Sequence, residues 1–299
     1  MKFNVNVVVV TYNRLELLKL TLEKLIAQTY SINKIVIVDN ASTDGTGEFL
    51  ATLRENSKYH IISMEKNEGG AGGFYHGIKA AYKDECDFVW IMDDDCICTE
   101  TALENLIDAY RMISRNRERK IGFLSSDVRY KDGSPCLMNI PTTASIYNEF
   151  IKEGIAQVTH TSFVAMLIPS KVIKEVGLPY KEFFIWGDDG EYSTRILQKY
   201  LGYLVGKSVV YHYMNENKGV NIFDTPPERI SRFYYFYRNW MFTDYSRSKK
   251  QGRRTFINNI RLILFIARSK TQNRKEKMKV IWKGTIDGLK FKAHIDYVE

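Results

Sequence analysis

Along the first hundred residues, apolar runs of strand length alternate with segments of helical periodicity. Residues 5–10 (VNVVVV) are rich in β-branched side chains, the pattern of a strand buried on both faces. Leu15, Leu18, Leu22, Leu25 and Ile26 then fall on one face of a helix. Residues 35–38 predict a second strand, and Asp44 is placed to cap a helix reaching about residue 56. A third strand at 60–63, a helix at 74–83 and a fourth strand at 88–92 follow. A further helix from Thr99 carries Leu103, Leu106, Ile107 and Tyr110. This order predicts an α/β fold with a Rossmann-like, mostly parallel sheet and helices on both faces. Ligands of such sheets bind beyond the carboxyl ends of the strands. That rule singles out the loops at 11–14, 39–44, 67–74 and 93–98.

The middle of the chain is less regular. Residues 121–128, 163–168 and 204–213 read as strands, and 170–176 and 191–200 as helices. From Pro227 onward the pattern is helical, at 230–245, 255–268 and 274–289. The chain therefore divides into a nucleotide-binding and catalytic domain at 1–225 and a basic helical region at 226–299.

Charge sharpens that division. The second region holds 18 Lys/Arg and 6 Asp/Glu, the first 25 and 29, within a net charge of +8. A basic tail on an acidic body suits an anionic partner, either a membrane surface or nucleic acid. No nucleic-acid-binding module accompanies the tail, so the membrane is the expected partner. Basic residues beside Ile257, Ile260, Leu262, Ile263, Leu264, Phe265 and Ile266 suit a helix lying on anionic lipid. The aromatic run at 233–237, with Trp240 and Phe242, suits core packing or a homo-oligomer contact. Cys86, Cys96, Cys98 and Cys136 fit neither a disulfide framework nor a zinc site and read as reduced thiols. Residues 1–10 lack a signal-peptide pattern, and no apolar run is long enough to span a bilayer. The expected location is cytoplasmic, peripheral to the inner face of the cell membrane.

The candidate chemistry lies in the singled-out loops. Asp93, Asp94 and Asp95 follow an apolar strand directly. Three packed carboxylates repel one another, and a divalent cation resolves that repulsion because hard ions prefer oxygen ligands. In Trp186-Gly187-Asp188-Asp189-Gly190-Glu191, a second acidic pair stands between glycines, offering either a general base or a helix cap. His212 ends a strand, where a neutral imidazole suits a metal site or a structural role. Asn67-Glu68-Gly69-Gly70-Ala71-Gly72-Gly73-Phe74 lets backbone approach a ligand closely. It is neither a dinucleotide fingerprint, since position 75 is Tyr, nor a P-loop, since no Gly-Lys-Ser/Thr ends it. Asp39 closes a strand where a carboxylate can accept hydrogen bonds from a base or ribose.

As a set, 8–14 (VVVTYNR), 36–44 (VIVDNASTD), the triple Asp and Gly187-Asp188-Asp189 resemble glycosyltransferase family 2, whose members have the GT-A fold. The likeness covers about residues 1–213. The loop at 67–74 looks like the galactofuranosyltransferase branch and related rhamnosyl-type enzymes. The resemblance implies that Thr11, Tyr12, Asn13, Arg14 and Asp39 hold the nucleoside end of a donor, and that Asn67, Gly69 and Gly70 lie against the nucleotide sugar. It implies that Asp93 and Asp95, with His212, bind Mn²⁺ or Mg²⁺ at the diphosphate, where Asp94 also meets the donor. Trp186 would shape the acceptor site. Asp189 would be the base; many family members have Glu-Asp where this chain has Asp188-Asp189, which leaves Asp188 as the alternative.

The implied reaction is an inverting transfer onto a growing cell-surface polysaccharide or lipid-linked glycan. UDP-galactofuranose is the first choice of donor and dTDP-rhamnose the alternative. A nucleotidyltransferase is the more remote rival, distinguished by releasing pyrophosphate.

Overall fold

A computed structural model describes residues 2–116 and 118–299. The first half alternates as the pattern predicts: β1 (Val5–Thr11), α1 (Leu15–Ile26), β2 (Lys34–Asp39), α2 (Thr46–Ala51), β3 (Tyr59–Ser63), α3 (Gly69–Lys83) and β4 (Phe88–Asp93). There follow β5 (Cys96–Cys98), α4 (Ala102–Ile113), β6 (Ile121–Tyr130), β7 (Thr142–Thr143), β8 (Ile155–His160), β9 (Met166–Pro169), α5 (Ser170–Val176), α6 (Asp188–Ile196) and β10 (Leu201–His212). Four helices complete the described chain: α7 (Pro227–Ile230), α8 (Phe233–Arg247), α9 (Lys249–Arg268) and α10 (Arg274–Lys290).

The strands form one sheet in the order β3-β2-β1-β4-β9-β6-β10-β8-β7, with β5 on β10. From β3 to β4 all pairs are parallel. Beyond β4 the sheet is mixed, because β9 runs antiparallel to both β4 and β6. Parallel pairing resumes between β6 and β10. Side-chain alternation explains why both faces are covered. Val5, Val7 and Val9 of β1 enter one core with Leu18, Leu22 and Leu25 of α1 and Leu103 and Leu106 of α4. Val8 and Val10 enter the opposite core with Phe74 and Ile78 of α3, Ile173 of α5 and Tyr192 and Ile196 of α6.

Several expected boundaries move for local reasons. Asp44 does not cap α2: Gly45 holds the N-cap position in the left-handed region, while Asp44 accepts from Leu15 N at 3.0 Å and Thr46 Oγ1 at 2.6 Å. That helix ends at Ala51, well before residue 56. The glycine stretch is not an open loop, since α3 begins at Gly69. A Cβ on Gly73 would stand 2.4 Å from Val10 Cγ1, and one on Gly77 2.3 Å from Val8 Cγ1. These glycines let helix and sheet meet at close range. The strand expected at 163–168 starts only at Met166, after Ala165 with φ +54°. The helix expected at 191–200 spans 188–196 instead, and its first residues are the paired aspartates.

The last helices pack on one another around Ile222, Phe233, Tyr237, Ile266 and Ile281. Residues beyond α10 return to the sheet body. There Leu178 N donates to Asp296 O at 2.8 Å, and Val298 joins the second core. No helix among the described residues is long and apolar enough to cross a membrane.

Candidate active site

The register of the sheet gathers the acidic residues. Thr11 pairs with Asp39 and Val10 with Asp93, so the carboxyl ends of β1, β2 and β4 open at one level. The chain turns sharply through Asp94 and Asp95 into β5, which runs antiparallel to β10 and sets His212 opposite Cys96. Tyr213 N donates to Asp95 O at 2.9 Å and Thr21 Oγ1 to Asp94 O at 2.7 Å, fixing the turn's backbone.

The three aspartates do different work. Asp94 is buried and faces inward, accepting from Thr11 Oγ1 at 2.7 Å and Tyr12 N at 3.3 Å. Arg14 reaches Asp94 at 3.2 Å and also contacts Asp95. Asp95 Oδ1 is buried and lies 3.2 Å from His212 Nε2, yet it receives no aligned hydrogen bond. The contact is an ion-pair approach off the N–H direction. Ligand atoms of Asp93, Asp95 and Cys96 lie within 4.8 Å of one another. His212 stands beside this group through Asp95, its ring oriented by Asn139 Oδ1 at 2.8 Å from Nδ1.

Electrostatics record the crowding. Burial, then the charge of Asp95, pushes Asp93 above the carboxylate range. Burial raises Asp94 to about 6 although Arg14 opposes it. Burial works against ionisation of Asp95 as well, but contact with His212 and then Arg14 outweighs it and holds that carboxyl low. His212 loses stability as a cation through burial, yet Asp95 and Cys136 raise it to about 10. A buried cluster with one orphaned carboxylate oxygen and hard oxygen donors fits a divalent cation. Cys96 is fully buried, and desolvation holds its thiol protonated, so the oxygens are the fitting donors.

The residues that follow β1 and β2 form a small hydrogen-bonded shelf. Asn13, at φ +54°, donates its N–H to Ser42 Oγ at 3.0 Å and accepts from Thr43 N at 2.7 Å. Asp39 Oδ1 accepts from Ser42 N at 3.0 Å. Tyr12 is 45% exposed, which leaves its ring free to meet a ligand. Asn67 Oδ1 caps Gly69 N at 2.7 Å, and no atom lies within 4 Å of where a Gly70 Cβ would stand. Asn40 was not singled out from sequence. Its amide spans to α3, donating to Gly69 O at 2.9 Å and accepting from Glu68 N at 2.9 Å.

The second acidic pair opens α6 on the far side. Gly187 takes the N-cap at φ +85°, so Asp188 and Asp189 occupy the first helical turn without capping it through a side chain. Asp189 Oδ1 accepts from Gly190 N at 2.6 Å. Asp188 is driven well above the carboxylate range by burial, then by Asp189 and Asp93. Asp189 is raised by burial and eased by the His160 charge. His160 ends β8, a strand not anticipated from sequence, and its Nε2 would lie 2.9 Å from a Cβ on Gly190. Trp186, at φ +64°, meets Phe233 edge-on at 5.0 Å and Phe236 at 6.3 Å. Two residues of the aromatic run at 233–237 thus pack against Trp186.

Comparison with known proteins bears on the family and the fold. Residues 6–113 match the family model described as Glycosyl transferase family 2. The poly-β-1,6-N-acetyl-D-glucosamine synthase of Staphylococcus aureus (strain COL) is 28% identical over 131 residues, 44% of this chain and 30% of that protein. Galactofuranosyltransferase GlfT1 of Mycolicibacterium smegmatis is 26% identical over 212 residues, covering 64% of each chain. The chain thus spans less than two thirds of the curated relatives it matches. Among solved structures, GalNAc-T7 with UDP, GalNAc and Mn²⁺ superposes with a TM-score of 0.59 at 17% identity, over 80% of this chain and 51% of that one. At that identity the likeness establishes the fold, which is GT-A.

Proposed function

We propose, from the premise that this chain is a family 2 glycosyltransferase, that it transfers a sugar from a nucleoside-diphosphate donor to an acceptor hydroxyl with inversion. The observation that carries the reading is the presence of two acidic sites. Asp93 ends β4 and Asp95 follows it with a buried oxygen that accepts no aligned hydrogen bond, while Asp188 and Asp189 open α6, where the Asp93 charge adds to the burial that raises Asp188.

Each residue has a role in that reading. Tyr12, Asn13, Arg14 and Asp39 hold the nucleoside diphosphate, and Thr11 orients Asp94 beneath it. The amino end of α3, with Asn67, Gly69 and Gly70, faces the diphosphate and sugar, where a helix dipole and open backbone favour an anion. Mn²⁺ or Mg²⁺ held by Asp93 and Asp95, with His212 at its edge, would supply positive charge against the leaving diphosphate. Asp189 accepts the proton of the acceptor hydroxyl as that oxygen bonds to the anomeric carbon. The bond from that carbon to the diphosphate oxygen breaks on the opposite side, and the nucleoside diphosphate departs. Trp186 offers an apolar wall to the acceptor.

The glycine stretch at 67–74 and the likeness to GlfT1 support UDP-galactofuranose as donor, with dTDP-rhamnose as the alternative. The acceptor is then a growing cell-surface or lipid-linked glycan. Helix α9 supports a membrane address at the cytoplasmic face. It turns Gly252, Asn259 and Ile266 inward and exposes Lys250, Arg253, Arg254 and Arg261 beside Ile257, Leu264 and Phe265. Basic and large apolar side chains on one exposed helix face suit anionic lipid.

The deciding experiment is a screen of UDP-galactofuranose, UDP-galactopyranose, UDP-glucose and dTDP-rhamnose with Mn²⁺, reading released nucleoside diphosphate. Selective turnover of UDP-galactofuranose is the expected result. Turnover of dTDP-rhamnose would replace the donor, and silence on all four donors beside release of pyrophosphate from a nucleoside triphosphate given with a sugar phosphate would overturn sugar transfer. Flotation with anionic and neutral vesicles tests the address, and equal binding to both would refute it.

A further inference from the structure

The segment that presents Trp186 and the paired aspartates is conformationally strained. Phe184 (φ +66°, ψ −64°) centres a γ-turn closed by Ile185 N on Phe183 O at 2.8 Å, Trp186 (φ +64°) and Gly187 (φ +85°) also have positive φ, and two of the three are bulky aromatics. Such a turn persists only where its surroundings over-determine it. What surrounds it comes from α8. Asn239, fully buried, donates through Nδ2 toward the carbonyls of Phe183 at 3.0 Å, Ile185 at 3.2 Å and Trp186 at 2.7 Å. Arg238 Nη2 donates to the carbonyls of Glu182 at 2.7 Å and Phe183 at 3.0 Å. Its Nε donates to Asn239 Oδ1 at 2.9 Å, which fixes which way the amide faces.

Three further contacts extend the attachment. Tyr235 stacks on Phe184 with ring centres 4.8 Å apart. Trp240 packs against Gly190, where an added Cβ would stand 2.9 Å from its ring. Arg247, at the end of α8, bonds Thr194 Oγ1 on α6 itself. On the other side, Phe184 O accepts from Ala71 N of α3 at 3.1 Å, so the strained turn also touches the donor-side helix.

We infer that α8 is a splint for the catalytic turn, with Asn239 and Arg238 as positioning residues that hold the Phe184–Asp189 backbone so that Asp189 faces the sugar site. The inference rests on the reading of Asp189 as the base. It makes the C-terminal helices part of the acceptor-side active site, so the catalytic unit does not end near residue 225. Truncating Asn239 removes the amide shared among three carbonyls, leaving Phe183 O to Arg238 and Ile185 N, and frees the turn to relax toward ordinary backbone. A base displaced by about 1 Å loses up to about 100-fold in rate.

The test compares wild type with Asn239→Ala, Asn239→Asp and Arg238→Lys. Asn259→Ala serves as a control, since Asn259 is also a buried asparagine but donates to Thr285 Oγ1 at 2.9 Å, away from the turn. The readouts are UDP affinity with Mn²⁺, kcat on the donor that wild type turns over, and hydrogen exchange of the amides at 184–190. The expected result is a loss of about 10–100-fold in kcat with UDP affinity within about twofold. Exchange at 184–190 should speed up locally in the Asn239 variants and stay at the wild-type rate in Asn259→Ala. Arg238→Lys keeps one charged donor and should lose less. If Asn239→Ala keeps wild-type kcat and wild-type exchange at 184–190, or if Asn259→Ala loses as much kcat, the splint is refuted. Wild type that turns over no donor would overturn the glycosyltransferase reading instead, and the exchange comparison would still decide the splint.

Discussion

Asp188 and Asp189 are adjacent in sequence and both raised by burial, yet the charges around them differ. Asp188 is 8% exposed and feels the like charges of Asp189 and Asp93, so burial and then those charges raise it well above the carboxylate range. Asp189 has the His160 charge and a 2.6 Å bond from Gly190 N to favour its ionised form. Asp188→Asn therefore imitates the state that residue already occupies, and turnover should stay within about threefold of wild type. Asp189→Asn keeps the oxygen that Gly190 N needs but removes the base. Loss of a positioned general base lowers the rate by about 10²–10⁴, or about 2.7–5.4 kcal/mol in the barrier. The stability signature is separate. A carboxyl whose folded pKa is raised above its ordinary 3.8 destabilises the fold increasingly as pH rises through that value toward the folded one, and not below it. Asp188→Asn should therefore stabilise metal-free protein by about 1.4 kcal/mol for each pH unit across that window, and by nothing at its acidic end. Urea unfolding in chelator at several pH values measures this, and nucleoside diphosphate release measures turnover. A pH-independent gain, or a dead Asp188→Asn beside an active Asp189→Asn, would reverse the assignment.

Other perturbations test the remaining parts of the argument. Asp95→Ala should weaken Mn²⁺ binding by more than the roughly 100-fold that loss of an outer-shell partner brings, read by metal titration; an unchanged curve would move the metal elsewhere. Gly73→Ala drives a Cβ to 2.4 Å from Val10 Cγ1 and should destabilise by about 1–3 kcal/mol, whereas Gly70→Ala meets nothing within 4 Å and should keep the fold while weakening donor binding. Urea midpoints and UDP titrations separate the two. Arg195 makes a bidentate pair with Glu191 and donates to Val176 O and Leu178 O from a site 8% exposed. Arg195→Met strands the Glu191 carboxylate and should cost about 3–5 kcal/mol; a loss under about 1 kcal/mol would show that water reaches it. The acid limb of kcat should lie above the ordinary carboxylate value, because the Asp189 proton is held by burial and the base is lost as pH falls through that raised pKa. A rate that rises on acidification would contradict a carboxylate base.

The legible parts of this fold are those where local pattern and burial agree. Strands β1, β2 and β4 are apolar on both faces because both faces are covered, so composition alone marks them. The acidic loops were legible for the same reason inverted, since carboxylates next to such strands have no apolar role. The start of α3 was not legible, because four glycines argue against helix by propensity, and the close packing of Gly73 on Val10 and of Gly77 on Val8 favours it. Strand β8 was missed because it is a half-exposed segment near the far edge of the sheet, and with it His160 beside Asp189. Asn239 carries no sequence signal at all. An asparagine within an aromatic helix reads as a weak spot until the three carbonyls it faces are brought there by a distant turn.

The turn from β4 into β5 shows how one short motif serves both fold and chemistry. Asp94 N donates to Val10 O at 3.2 Å, which ties the turn to β1, and the Asp94 carboxylate holds Thr11 and Tyr12. The middle acid thus builds the floor on which the nucleoside-side loop rests. Flanking positions then project toward the other side, where Asp93 feels Asp188 across the site and Asp95 meets His212. Removing a central carboxylate would loosen the loop that positions a donor, whereas removing an outer one would take away ligand oxygens and leave the turn in place. Three consecutive aspartates are therefore not a redundant acidic patch. Burial and the neighbouring like charges raise Asp93 and Asp94, and a divalent cation with Arg14 is the charge that would relieve that crowding.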